Sequence, residues 1–135
     1  MAIPTPGVPS TTNPISSVRL VPTTSRKCFY TYSGEMSIGG SETTMISIQD
    51  TGKRDVLVKL HVSSISQSSD DYAVRVKMNG QSIIEENLYR ADSASRTGMP
   101  IDFIIPKDCS LEITMDNIST GTANDWFASI HGYFL

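Results

Sequence analysis

The strongest constraint on this chain is an alternation of apolar and polar side chains that runs through much of it from residue 28 onward. In segment 55–62, every second side chain is aliphatic: Val56, Val58, Leu60 and Val62. Leu57, Lys59 and His61 occupy the positions between them and are predicted to face outward. Because successive side chains of a β-strand point to opposite faces, this period of two predicts strands with one buried face.

A second alternating segment, 72–78, leads directly into a hairpin signal. Its inward side is predicted to consist of Tyr72, Val74, Val76 and Met78. Asn79 and Gly80 follow at once, and this pair favours a two-residue turn because both turn positions need a positive φ. The sequence therefore predicts a tight turn here, with a return strand over Gln81–Leu88.

The remaining strands are predicted near residues 28–35 and at 45–48, 101–105, 110–115 and 126–135. No window has the period of an amphipathic helix of any length. About eight short strands separated by turn signals are typical of a β-sandwich. The sequence therefore predicts an all-β domain over residues 27–135, folded as an antiparallel β-sandwich.

Residues 1–26 differ in composition from everything that follows them. Five of the seven prolines fall here, interleaved with serines and threonines. Proline fixes φ and lacks a backbone N–H, so the segment is predicted to be an extended arm rather than a helix or a central strand. The arm's apolar residues are candidates for contacts with a neighbouring lattice or with the domain itself: Ile3, Val8, Ile15, Val18 and Leu20.

Composition argues against two classes of partner. The formal net charge is −3 and the pI is near 5.2, so a surface that binds nucleic-acid phosphates is not expected. No stretch approaches the roughly 20 apolar residues that a membrane helix requires. The N-terminus has neither the basic nor the apolar region of a secretory signal, so we expect a chain made in the cytoplasm.

The cysteines and histidines form no metal motif. Cys28 and Cys109 lie far apart, and two isolated, buried and reduced thiols are expected, with a disulfide between them as the alternative. A zinc site needs several such ligands, whereas His61 and His131 are the only histidines. No metal and no cofactor are therefore predicted.

No constellation of catalytic residues stands out. Serines are abundant, but none lies in a GxSxG nucleophile elbow. The carboxylate pairs Glu85-Glu86 and Asp70-Asp71 are chain neighbours, and neighbours on a strand point to opposite faces, so they do not make a glycosidase pair. The chain is therefore predicted not to be an enzyme.

A polar loop between residues 116 and 125 is the one candidate for ligand binding. It carries side-chain oxygens at both ends, next to Trp126: Asp116, Asn117, Asn124 and Asp125. Calcium takes six to eight oxygen ligands, and sugar-binding modules combine such loops with an aromatic platform. The competing interpretation is an ordinary polar connection with Trp126 in the core. A carbohydrate- or receptor-binding module is therefore the alternative function.

Segment 126–135 is apolar or aromatic on both faces. One face is predicted to fill the core: Trp126, Ala128, Ile130 and Phe134. The other face is predicted to be an interface between identical chains: Phe127, His131, Tyr133 and Leu135. A soluble monomer rarely keeps such a patch exposed, and identical neighbours would cover it, with Gly132 allowing their backbones to approach closely.

Two parts of the chain resemble known families. The ending Phe127–Leu135, with an aromatic residue, a glycine and a short apolar tail, is similar to the last strand of trimeric jelly rolls of the tumour-necrosis-factor/C1q type. The strand, proline turn and strand of residues 100–117 resemble small phage virion proteins of the capsid decoration, cement or fibre-head kind.

These resemblances imply a non-enzymatic jelly roll that forms a homotrimer. They further imply a location in the virion, where the protein would bind the major capsid protein or another virion lattice. A small jelly-roll enzyme of the cupin type is a further alternative, but a cupin metal needs a histidine cluster that this sequence lacks.

Overall fold

Strands account for the regular structure in the part of the chain that the computed structural model describes, which is residues 17–19, 28–65, 70–88 and 100–135. The strands are β1 Ser17–Arg19, β2 Cys28–Tyr32, β3 Met36–Ile38, β4 Thr43–Asp50, β5 Val56–Ser64, β6 Tyr72–Met78, β7 Gln81–Leu88, β8 Ile101–Ile105, β9 Leu111–Asn117 and β10 Asn124–Phe134. Within these ranges no helix is long and apolar enough to cross a membrane. The predicted all-β class is confirmed.

The strands form two sheets, which pack face to face as a sandwich. The first sheet has the order β1-β4-β9-β6-β7, and the second has the order β2-β10-β5-β8, with β3 pairing with β10 beyond the end of β2. The described pairings are antiparallel except that of β1 with β4. Nearly every connection between the longer strands crosses from one sheet to the other, which is the connectivity of a jelly roll.

The alternation in the sequence reappears as an alternation of burial. On β5 and β10, the side chains predicted to face inward are all buried: Val56, Val58, Leu60, Val62, Trp126, Ala128, Ile130 and Phe134. Tyr72 of the first sheet meets Trp126 of the second, with ring centroids 4.7 Å apart. Burying one large aliphatic side chain stabilises a fold by about 1.5–3 kcal/mol. A slip of one residue would expose a strand's whole inward set, so this core fixes the register.

The predicted hairpin between β6 and β7 is confirmed. Asn79 has φ 49° and Gly80 has φ 80°, so both turn residues lie in the left-handed region. This geometry matches the twist of the two strands that the turn joins. The side-chain oxygen of Asn79 also accepts a hydrogen bond of 2.9 Å from the backbone N–H of Ser110, which ties the turn to the start of β9.

The predicted N-terminal arm meets the domain at one described point. Ser17–Arg19 form β1 at the edge of the first sheet, parallel to β4, with Val18 in register with Ile48. The other apolar residues proposed for the arm lie outside the described residues: Ile3, Val8, Ile15 and Leu20. Their contact with a lattice stays a prediction.

Several strand boundaries differ from the prediction. β3 was not predicted, because three residues are too few to display a period. β10 begins at Asn124 rather than at Trp126, since Asn124 and Asp125 pair with β3 and continue the strand into the predicted loop. The alternation of residues 111–115 predicts an outward position for Thr114, but Thr114 is buried, and its hydroxyl donates a hydrogen bond of 2.7 Å to the carboxylate of Glu42.

Candidate functional site

The outward side of the second sheet is the candidate site, and we call it the apolar face. It is defined by the outward residues of four neighbouring strands: Cys28, Tyr30 and Tyr32 on β2, Phe127, Ser129, His131 and Tyr133 on β10, Leu57, Lys59 and His61 on β5, and Asp102 and Ile104 on β8. These positions face outward because each alternates with the inward residues of its own strand.

Large hydrophobic side chains form a continuous row across this face. Tyr133 is in register with Leu57, and Leu57 is in register with Ile104. Their exposed fractions are 58%, 39% and 53%, and Tyr30 on β2 is 50% exposed. Leu135, just beyond the end of β10, is exposed as well. Surface aliphatic and aromatic residues are usually scattered singly, so a row over three strands indicates an interaction surface.

A second row of the same face is polar at one end. Tyr30, His131, Lys59 and Asp102 lie side by side on β2, β10, β5 and β8. Lys59 and Asp102 form an ion pair, with Nζ and Oδ1 3.7 Å apart. Both side chains are substantially exposed, so this pair contributes little to the stability of the monomer.

Aromatic rings pair on this face. His61 stacks on His131 with ring centroids 5.6 Å apart and 17° between the ring planes. Tyr32 meets Phe127 edge to face, with centroids 5.7 Å apart. These pairs lie diagonally across neighbouring strands, and they hold the side chains of the face in fixed positions.

A shallow depression of about 280 Å³ opens beside the polar row. It is lined by Leu57, Val58, Lys59, Asp102, His131, Gly132 and Tyr133. A Cβ atom at Gly132 would lie 2.3 Å from the carbonyl oxygen of Leu57 on β5. The close packing of β10 against β5 therefore requires a glycine at this position. β5 of the same chain makes this close approach, and a role of Gly132 in contact between copies stays a prediction.

The outward side of the first sheet is chemically different, and we call it the charged face. Arg75 on β6 bonds to Asp116 on β9 and to Glu85 on β7, the latter at 3.0 Å. Lys77 bonds to Glu42. This hydrogen bond is the main cause that lowers the pKa of Glu42, and a hydrogen bond from Thr114 is the second cause. The hydrogen bond with Asp116 raises the pKa of Arg75 above its ordinary value.

The polar loop after β9 is a structural connection. Asn117 is buried, and its Nδ2 donates to Asp70 Oδ2 and to the backbone oxygen of Thr122, both at 2.9 Å. Its Oδ1 accepts hydrogen bonds from two backbone N–H groups of the same loop. Trp126 is fully buried and cannot serve as a platform for a sugar. In the described ranges, no group of three or more metal-ligating side chains is placed to share an ion.

The two cysteines are free, and the prediction that both thiols are buried was wrong for Cys28. Cys28 is exposed because it opens an edge strand and faces the same side as Tyr30. Cys109 is half-buried, and its sulfur accepts a hydrogen bond of 3.6 Å from Nδ2 of Asn79. They do not form the disulfide that was the alternative.

The interface residues predicted from the sequence lie where they were expected, and their role stays a prediction. Phe127, His131 and Tyr133 share the apolar face, and Leu135 follows at its margin. Sequence reasoning missed the partners that the sheet places beside them: Tyr30, which lies 103 residues before Tyr133 in the chain, and Ile104, which lies 29 residues before it. A signal existed at Ile104-Ile105, where two isoleucines break the alternation and so put one of them outside.

Comparison with known proteins supports the fold class. No protein-family model matches the chain, and no curated protein matches it. A chain of Bacillus endospore appendages, described as a novel family of disulfide-linked pili, has a TM-score of 0.50 and 10% identity, and the match covers 85% of this chain and 96% of that one. A chain of infectious bursal disease virus, Gx strain, has a TM-score of 0.49 and 12% identity, over 80% of this chain and 32% of that one. The first likeness shows a shared all-β fold.

Proposed function

We propose that this protein is a non-enzymatic structural subunit that associates with copies of itself through the apolar face. The observation that carries the proposal is the row formed by Tyr133, Leu57 and Ile104, which stays exposed on three adjacent strands of the monomer. Water contact with such a row is unfavourable by about 25 cal/mol for each Å² of apolar surface. Association removes that surface from water and leaves the folded core unchanged.

A second copy is the partner we favour, because the face carries one exposed cation and one exposed anion that a neighbouring copy can pair with. Lys59 and Asp102 are adjacent in one row, and both are substantially exposed. Around a threefold axis, Lys59 of each copy can meet Asp102 of the next copy head to tail, while the apolar rows of the three copies face the axis together. We propose a homotrimer, in which this contact repeats around a threefold axis.

In its finer form, the proposal is that the oligomer decorates a virion, with the major capsid protein as the lattice it binds. The Pro-rich arm supports this, since residues 1–16 precede β1 and carry apolar side chains among prolines. The jelly-roll connectivity of this chain and its likeness in fold to the endospore appendage chain are compatible with a role as a building block. The alternative sugar-binding function at the 116–126 loop loses its platform with the burial of Trp126.

The molar mass in solution tests self-association. We expect the full chain at micromolar concentration to scatter light as a trimer, and Tyr133→Asp to weaken association by at least about tenfold, since a central tyrosine is a typical hot spot. Ile83→Asp is the matched control, because Ile83 is 48% exposed on β7 of the other sheet. A full chain that remains monomeric at high concentration would overturn the proposal.

Deletion of residues 1–16 tests the virion role separately. The shortened chain keeps β1 and should retain its thermal midpoint and its molar mass. It should no longer sediment with capsids assembled from the major capsid protein encoded by the same genome. Undiminished sedimentation would show that the arm does not bind the lattice.

A further inference from the structure

The apolar face carries both histidines of the chain, and their rings stack on each other. The pairing of Ser129 with His61 places His131 one diagonal step away on the same side of the sheet. Under the proposed function, on which this inference rests, the pair is covered by a second copy. We propose that the pair makes assembly dependent on pH: copies associate while both rings are neutral and separate when the rings take up protons.

The charged groups around the pair leave the positive charge of protonated rings uncompensated. Lys59 is in register with His131 and precedes His61 by two positions, so it flanks both rings. The titratable side chains on the strands around the pair are Cys28, Tyr30 and Tyr32 on β2, Lys59 on β5, Asp102 on β8, and Tyr133 and, further along, Asp125 on β10. The carboxylate in the row of His131, Asp102, is engaged by Lys59.

Protonation therefore places two positive charges together, while the carboxylate in their row, Asp102, is already paired with Lys59. Two charged rings with centroids 5.6 Å apart repel each other, and beside them the charges of Lys59 and Asp102 balance each other. Covering the face excludes water and strengthens this repulsion. The separated chain consequently accepts protons more readily than the assembled one, so acid favours separation. Histidine changes charge between about pH 5 and 8, so association is complete above this range and is lost as the pH falls through it.

Sedimentation of the full chain at about pH 7.5 and pH 5.5 measures the effect. We expect the dissociation constant to rise by at least about tenfold at the lower pH. Each proton that the separated chain binds and the assembled chain does not raises this constant by up to a factor of ten per pH unit. The double variant His61→Gln, His131→Gln should stay associated at both pH values. Glu85→Gln is the matched control: it removes a titratable group from the charged face and should keep the response of the unmodified chain.

The outcomes separate this inference from the proposed function. Equal association at both pH values overturns the inference and leaves self-association intact. A chain that is monomeric at pH 7.5 overturns self-association and the inference with it. A response that persists in the double variant assigns the titration to other groups and also overturns the inference. Circular dichroism at pH 5.5 confirms that the chain is folded, and if the double variant does not fold, each single variant should show a reduced response.

Discussion

The two outward faces of this sandwich differ in the side chains that they expose to solvent. The charged face joins its strands through side-chain bonds such as those of Arg75 with Glu85 and Asp116. The apolar face has Tyr133, Leu57 and Ile104 side by side, with an ion pair at its margin. On the charged face the polar groups satisfy each other within the monomer, whereas the apolar face keeps its hydrophobic surface exposed. The first face therefore stabilises the fold, and the second is available to a partner.

This difference implies that substitutions on the two faces have different consequences. A change on the charged face leaves a partly buried charge without its partner and lowers the free energy of unfolding. A change at the exposed tips of the apolar face removes contacts that the monomer does not make, so it affects assembly more than stability. The following predictions test that division.

The largest effect is expected from Gly132→Ala, under the apolar face. The new Cβ would lie 2.3 Å from the carbonyl oxygen of Leu57, a backbone atom that cannot move aside cheaply. We expect the free energy of unfolding to fall by about 2–4 kcal/mol, measured by urea denaturation. Gly39→Ala is the control, since its nearest neighbour would lie at 3.4 Å. Equal, small losses in both variants would show that β5 and β10 can separate at this point.

Arg75→Gln is expected to have the next largest effect. It leaves Asp116, whose side chain is only 16% exposed, without its cationic partner. We expect a loss of about 1–3 kcal/mol in the free energy of unfolding and no change in the molar mass. Lys53→Gln provides the comparison, because its ion pair with Asp108 is well exposed and should contribute less than about 1 kcal/mol. A change in oligomeric state in Arg75→Gln would contradict the division between the faces.

Gly80→Val tests the turn that supports the edge of the charged face. Gly80 has φ 80° with nothing within 4 Å of an added Cβ, so the cost is one of backbone conformation alone. A β-branched residue at this φ should lower stability by about 1–3 kcal/mol. Gly80→Asn should cost less, because asparagine tolerates the left-handed region. Thermal unfolding of the two variants measures the difference, and equal midpoints would argue against the tight turn.

The smallest effect is expected from Glu42→Gln, and it depends on pH. Bonds from Lys77 and Thr114 lower the pKa of Glu42 below its ordinary 4.5 in the folded chain. The folded state therefore binds this proton less readily than the unfolded state, and the carboxylate stabilises the fold at neutral pH. The stability difference between the two proteins should be complete at pH 7 and should shrink as the pH falls below 4.5.

Urea midpoints at neutral pH and near pH 3 check this prediction. Lys77→Gln is the matched background, since it removes the first cause of the lowered pKa. In that background, Glu42→Gln should change the pH dependence much less. A difference that is constant across the pH range would assign the effect of Glu42 to packing.

Much of the fold could be predicted because its information is local. The alternation at Val56–Val62 and at Tyr72–Met78 requires strands with one buried face, and Asn79-Gly80 requires a positive φ at two successive residues. β3 was missed because it has three residues and its pairing with β10 is a long-range contact. The exposure of Cys28 was missed because an edge position depends on the order of strands in the sheet.

The sequence by itself determined that this chain is an all-β protein, which faces of β5, β6 and β10 are buried, and that β10 has a second apolar side. These properties follow from side-chain spacing along a single strand, where the pleat alternates faces. Tertiary structure alone decided that Tyr30, Leu57 and Ile104 join Tyr133, and that His61 meets His131. Strand order and register arise from packing two sheets around one core, so neighbours on a face come from distant parts of the chain.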